Sequence, residues 1–430
     1  MPGPQEKLAL LGGPKACSAE PRETFPVPAQ EVKDAVGRLI DAGVYSTTAE
    51  EPYKALEREW AAYCGAKHCL AQNNGTSTLW AALWACGVGP GDEVISSPYT
   101  WICSYAAAWQ LGARVVFAEM DPETLLLNPR DVEKRITPRT KVILVVHLYG
   151  YVADLDALTA IAKQRGIRVV EDCSHAHGAA YQGRKVGTIG DVGCFSMQGS
   201  PWGGKALPAG EGGLVVTNDR DLYQRMLFFG HLNRQGMVEE QKGTAFEPFG
   251  CYGAGVKFRA HPWSLAAARI FLRSLDQRNA MRWAYATKIH RGVEKLPGIQ
   301  LRKQPDGGSP AGFYGGMHLL YHPEALGGLP VERFLEALKA EGVDMAHRQY
   351  ELFHLTAHLT KGFDLQNNGQ GPLCGRGFAP LAPGVLPVSE EVHGRILGMP
   401  TFIRENPGCS DGVVAAFRKV VHNHRQLLPR

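Results

Sequence analysis

Between residues 54 and about 220 the chain alternates short, β-branched apolar runs with stretches of helical periodicity, and no other feature constrains the fold as much. The runs are "HCLAQNN" (68–74), "DEVISS" (92–97), "RVVFAEMD" (114–121), "KVILVVHLYG" (141–150), "IRVVEDCS" (167–174), "VGCFSMQ" (192–198) and "GGLVVTN" (212–218). Helical segments separate several of them. After the first run, Leu79, Ala82, Leu83 and Cys86 keep the spacing of one helix face, and "LDALTAIAKQRG" (155–166) closes on a glycine. Apolar strands joined by crossover helices imply an α/β fold whose mainly parallel sheet is buried on both faces. Such sheets bind ligands outside the carboxyl ends of their strands. Here those ends carry "NNGTST" (73–78), "SPYTW" (97–101), "HLYG" (147–150), "EDCSH" (171–175) and "SMQ" (196–198).

A long helix is expected over 262–296, after which the Gly/Pro-rich "PGIQLRKQPDGGSPAGFYGG" changes the texture. A smaller α+β region with a helix near 331–341 should follow. The expected division is a large domain, residues 1–295, with an N-terminal arm, and a small C-terminal α+β domain, residues 296–430. At 430 residues the chain has room for both. A net charge of +4 with interspersed signs does not favour nucleic acid as a partner. No apolar run reaches the roughly 18 residues of a membrane helix, and the start lacks a signal-peptide pattern, so a cytoplasmic protein without membrane association is expected. The ten cysteines lack a C-x-x-C pair and read as buried thiols in a reducing compartment.

Three strand-end motifs carry chemistry. In "NNGTSTLWAAL" a Gly-Thr-Ser-Thr turn opens a helix, where free amides, hydroxyls and the helix dipole suit an anion; a simple N-cap uses the same residues. Asp172 ends a buried strand, where it either caps the next segment or pairs with a protonated ring nitrogen. His175 and His177, two residues apart, do not form a helical ligand pair, and no metal is expected. Lys205 follows across one further strand, in the loop that starts after Ser196. A lone loop lysine is ordinarily a solvated surface group, as Lys185 in "QGRKVGTIGD" is read. An anion turn, a strand-end Asp and a lysine in that order match the needs of pyridoxal 5′-phosphate: donors for the phosphate, an acid for the pyridine nitrogen, an amine for the aldehyde.

With those motifs in place, the sequence resembles the DegT/StrS-type sugar and aminocyclitol aminotransferases, which are fold-type I pyridoxal phosphate enzymes. The likeness runs through "LALLGGPK", "YKALEREWAAYCGAKHCLAQNNGTSTLWAALWACGVGPGDEVISSPYTW", "VVHLYGYVADLDAL", "VVEDCSHAHGA", "GRKVGTIGDVGCFSM", "KALPAGEGGLVVTND" and "LPVSEEVHGRILGMPTF". The resemblance implies that Lys205 carries the cofactor and moves the proton, and that Asp172 keeps the pyridine nitrogen protonated. It implies phosphate contacts from Gly75, Thr76, Ser77 and Ser196, an aromatic stack from Trp101, and His175 beside the ring. It also implies a homodimer with shared active sites. Two departures stand out. "GSPWGG" (199–204) lengthens the loop before the lysine, and "GVKFRAHP" (255–262) replaces an Asn-aromatic-Arg sequence whose Asn reaches the neighbouring subunit's phosphate; Lys257 is the cation available for that role.

The implied activity is transfer of an amino group from glutamate or glutamine to a keto-sugar or keto-cyclitol. "FSMQ" favours a ketone like scyllo-inosose, in aminosugar or antibiotic biosynthesis. Tyr45, His147, Tyr149, Arg259 and His318 are further candidates for the pocket wall. The alternatives are another pyridoxal phosphate reaction on a sugar-like substrate, such as dehydration, and a non-catalytic regulator on the same fold. Dehydratase relatives replace the lysine by histidine, so Lys205 speaks against that branch.

Overall fold

The computed structural model describes residues 6–201, 204–314, 316–375 and 377–429. In chain order its strands are β1 (His68–Gln72), β2 (Glu93–Ser96), β3 (Arg114–Phe117), β4 (Thr140–Val146), β5 (Arg168–Asp172), β6 (Ala180–Tyr181) and β7 (Arg184–Lys185). They continue as β8 (Val192–Ser196), β9 (Gly213–Thr217), β10 (Ile299–Leu301), β11 (Gly308–Ser309), β12 (Met317–Tyr321), β13 (Ala346–His347) and β14 (Ile396–Met399). The α-helices are α1 (Ala29–Asp41), α2 (Ala55–Cys64), α3 (Gly75–Ala85), α4 (Cys103–Gln110), α5 (Pro129–Arg135), α6 (Leu155–Arg165) and α7 (Arg220–Gly230). After them come α8 (Met237–Glu240), α9 (Pro262–Leu272), α10 (Leu275–Val293), α11 (Val331–Ala340), α12 (Ala357–Thr360), α13 (Pro387–His393) and α14 (Cys409–His422).

The central sheet has the order β1-β9-β8-β5-β4-β2-β3. Only β9 runs against its neighbours, β1 and β8; the remaining pairs are parallel. Alternation along β4 shows why both faces must be covered. Ile143 and Val145 enter one apolar cluster with Leu155 and Leu158 of α6, while Val142 and Leu144 enter another with Leu79 and Ala82 of α3. Each of these Val, Ile and Leu side chains contributes ~2 kcal/mol when fully buried. Helix α6 starts where the Asp154 carboxylate takes the Ala157 amide, and ends at Gly166 with φ +66°.

A second, antiparallel sheet, β10-β12-β14-β13, is packed by α10, α11 and α14 through Ile289, Phe334, Phe417 and Val420. Leu8 and Cys17 of the N-terminal arm join this cluster. Glu341 fixes the arm there: its carboxylate accepts the amides of Ala9 and Ala16 and pairs with Lys419. The segment between β13 and α13 reaches back to the central sheet, where Phe353, Leu359 and Leu386 pack on Tyr105, Trp109 and Phe117. The expected single helix over 262–296 is two. At Ser274 (φ −113°, ψ 11°) the backbone leaves the helical region, and the Arg278 guanidinium takes the Phe271 carbonyl in place of the next turn's amide. Among the described residues no helix is long and apolar enough to cross a membrane.

Neighbouring residues on β5 point to opposite faces. Glu171, fully buried, accepts the amides of Gly187, Ile189 and Gly190 and meets His147 Nε2 at 3.0 Å. Burial alone would raise its pKa, but His147 and the amides outweigh this and hold it below the ordinary carboxylate value. A depressed folded-state pKa stabilises the fold above about pH 4.3, the unfolded value, and that stability is lost as pH falls through the folded value. Glu171→Gln should therefore lower stability at neutral pH by about 3–5 kcal/mol in denaturant melts. The deficit relative to wild type should shrink on acidification below pH ~4; a deficit constant with pH would contradict the assignment.

Candidate active site

A cavity of about 470 Å³ opens at the carboxyl ends of the parallel strands. Its base depends on a close approach. A Cβ on Gly75 would stand 2.6 Å from Ser196 Cβ, so only glycine lets the first turn of α3 meet the end of β8. Asn74 caps the helix by accepting the Ser77 amide at 2.7 Å. The amides of Gly75 and Thr76, which line the cavity, have no partner among the described residues. This is an anion site made of backbone donors at the positive end of a helix, with the Ser196 hydroxyl beside it. Ser77, expected among the phosphate contacts, is committed elsewhere: its hydroxyl donates to the Asn74 carbonyl at 2.7 Å, and it does not line the cavity.

Asp172, 5% exposed, ends β5 in the cavity wall. Its Oδ2 accepts the Ser104 hydroxyl at 2.8 Å and its Oδ1 the Ser174 amide at 3.1 Å, which fixes the plane of the carboxylate. His175 accepts the Tyr149 amide on Nδ1 at 3.2 Å. A neutral ring then carries its proton on Nε2. Burial and the nearby Lys205 charge hold His175 well below the usual histidine pKa, so it is neutral at pH 7. To supply that amide, Tyr149 adopts φ +59°, rare for a residue with a side chain. His177 diverges from His175 into apolar packing against Trp60 and Phe195.

Lys205 is buried at 9% exposure, with Nζ 3.5 Å from the centroid of the Tyr314 ring. Burial pushes its pKa down to about 8, partly opposed by Asp172 and Cys103. Roughly a tenth is thus a free, nucleophilic amine at pH 7, far more than for an exposed lysine. The loop that carries it is closed at a neck: Gly199 and Gly210 exchange amide-carbonyl bonds of 2.8 and 3.1 Å, and the Lys205 amide donates to the Gln198 carbonyl. Trp202 and Gly203, inside the expected 199–204 insertion, lie outside the described residues. Arg278 secures the other side of the lysine by donating to the Ala206 carbonyl.

Trp101 stands at the cavity mouth, 56% exposed and 6.0 Å from Tyr350, so it is not a core residue. Lys257 pairs through its backbone with His231 and does not line the cavity of its own chain. None of Tyr45, His147, Tyr149, Arg259 and His318 lines it either. Tyr45 packs on Trp263 and Arg259 donates to the Asn233 carbonyl, while His147 serves Glu171 and Tyr149 stacks on His318. Sequence reading missed Ser104, Glu211, Tyr314, Gln349 and Tyr350 in the wall. Glu211 sat in the quoted "GEGG"; the two tyrosines and Gln349 come from the C-terminal third, where no motif pointed to them.

Helix-end amides, the Asp172 carboxylate and a partly neutral buried amine, all lining one cavity, fit the phosphate, ring nitrogen and carbonyl of pyridoxal 5′-phosphate. The comparisons agree. The model of the DegT/DnrJ/EryC1/StrS aminotransferase family matches residues 28–371. An L-glutamine:2-deoxy-scyllo-inosose aminotransferase of Micromonospora echinospora is 34% identical, over 98% of this chain and 99% of its own. An L-glutamine:scyllo-inosose aminotransferase of Streptomyces griseus is also 34% identical, with the same coverage. An aminotransferase structure from Psychrobacter cryohalolentis superposes with a TM-score of 0.77 at 26% identity, covering 94% of this chain and all of that one. The fold is that of fold-type I pyridoxal phosphate enzymes. On this sequence match, the chain belongs to the DegT/DnrJ/EryC1/StrS aminotransferase family, and membership implies pyridoxal phosphate as its cofactor.

Proposed function

We propose that this aminotransferase moves an amino group from L-glutamine to the ketone of a polyhydroxylated cyclohexanone of the scyllo-inosose class. The near full-length likeness to two relatives named for that donor and that class of acceptor carries the reading. The cavity supports it: among its described lining residues Lys205 alone is cationic, while Glu211, Gln349 and Tyr350 offer hydrogen-bonding groups for hydroxyls. A small neutral polyol fits that lining better than a nucleotide-linked sugar, whose phosphates call for cations.

Bound pyridoxal phosphate supplies a carbonyl that condenses with amines and a ring that accepts an electron pair. This chain's residues do the rest. The amides of Gly75 and Thr76, with the Thr76 and Ser196 hydroxyls, would hold the phosphate. Asp172, oriented by Ser104 and Ser174, would hold a proton on the ring nitrogen. Lys205 would hold the cofactor through its amine and, as a free amine, would be the base that takes a proton from the donor's Cα and returns it; burial, which pushes its pKa down, suits it to both. His175, with Nε2 free to donate, would stand beside the cofactor ring, and Trp101 would shield the mouth from water. On this reading the cofactor belongs to residues 1–295 and the smaller domain to 296–430. The active enzyme is a cytoplasmic homodimer.

The acceptor is tested by assaying amination of scyllo-inosose and of a nucleotide-linked ketosugar with L-glutamine; turnover of the ketosugar alone would sink the reading. After borohydride treatment of the holoenzyme, peptide mapping should place the reduced cofactor on residue 205, and Lys205→Ala should carry no adduct and lose at least about a thousandfold in activity. Gly75→Ala should push α3 from β8 and weaken pyridoxal phosphate binding by about tenfold or more, read by equilibrium dialysis. Unchanged affinity would remove the helix terminus from the phosphate site.

A further inference from the structure

Beside the main cavity lies a second, of about 380 Å³, lined among others by Gly204, Arg282, Tyr314, Gln349 and Thr401. The two share Tyr314 and Gln349, and Gly204 precedes Lys205 in the chain. Arg282 is its one charged lining residue among those described. The contrast with Arg278, one turn earlier on α10, is informative. Arg278 is fully engaged by the carbonyls of Ala206 and Phe271 and the Ser274 hydroxyl. Arg282 Nη1 is shut off from solvent and has no hydrogen-bond partner among the described residues. Glu23 is the carboxylate whose field reaches Arg282, but it already accepts the amides of Phe25, Ile403 and Arg404. Burial lowers the Arg282 pKa only to about 10, so the guanidinium is charged at neutral pH.

A guanidinium nitrogen shut off from solvent without an acceptor is unfavourable, and the Arg282 side chain, half-buried and with no hydrogen-bonded carboxylate among the described residues, is poised to receive an external anion there. A second donor points the same way. Gln349 Oε1 faces His318 Nε2 at 3.0 Å, which leaves the Gln349 amide nitrogen to donate. The reaction also requires discrimination. Two substrates use one site in turn: a neutral polyol ketone, which needs no cation, and an α-amino acid, which carries a carboxylate. The main cavity's only described cation, Lys205, would be engaged by the cofactor on the reading above, which leaves the charge that selects the amino acid to come from elsewhere.

We propose that Arg282, assisted by the Gln349 amide, binds the carboxylate of the amino donor, making the second cavity the donor subsite. This rests on the glutamine-dependent reading above, but its test separates the two. The probes are glutaramate, which is L-glutamine without its amine, and neutral glutaramide, titrated calorimetrically into the holoenzyme. Wild type should bind glutaramate and discriminate against glutaramide. Arg282→Gln should weaken glutaramate by about tenfold or more, abolish the discrimination and raise the KM for L-glutamine, without lowering Tm, because no hydrogen bond of this half-buried side chain to a described residue is lost. Arg282→Lys should restore most of the affinity. If Arg282→Gln binds glutaramate as wild type does, or if its affinity falls only together with Tm and Arg282→Lys gives no rescue, the subsite is overturned. If glutaramate binding depends on Arg282 while wild type does not react with L-glutamine, the subsite stands and the proposed amino donor falls.

Discussion

The pleat at the end of β5 is the constraint on which the site depends. Because successive side chains leave a strand on opposite faces, Glu171 and Asp172 cannot serve the same space. Glu171 goes under the sheet, where His147 and three loop amides tie it to residues 187–190. Asp172 goes to the cavity. The carboxylate of Glu171 thereby holds in register the strand end that presents the cavity-facing one. Pairing carries the alignment outward: Asp172 is level with Val146 of β4 and Cys194 of β8, so the sheet sets the heights of Asp172 and Ser196.

Much of this was legible in the sequence because it is local. Apolar runs of β-branched residues, a cap before a helical face, and a lysine after a strand are short-range patterns, and the central sheet and the placement of Gly75, Thr76, Asp172, His175, Ser196 and Lys205 around one cavity follow from them. Departures arose where a tertiary partner overrides periodicity. The break at Ser274 interrupts an unbroken helical pattern because Arg278 offers the Phe271 carbonyl an alternative bond. Ser77 has the residue type of an anion ligand, but in the folded helix its hydroxyl finds the Asn74 carbonyl first.

The wall residues from the C-terminal third were the least legible. Tyr314, Gln349 and Tyr350 reach the cavity from segments flanking β12 and β13, more than 100 residues beyond the lysine, and no local spacing announces them. A tyrosine stacked near a histidine reads like any core aromatic until the chain has folded. The same holds for Arg282, whose distinction is a missing partner, a property of three-dimensional surroundings alone.

The Gly199–Gly210 neck has a consequence for how such enzymes diversify. Two backbone bonds close the base of the loop, and the Lys205 amide is held just inside them on Gln198. Length added within the closed loop therefore need not be transmitted to the strand ends below. Change confined to the loop can thus leave the backbone of Lys205 pinned beside Gln198, with the amine still facing the cavity.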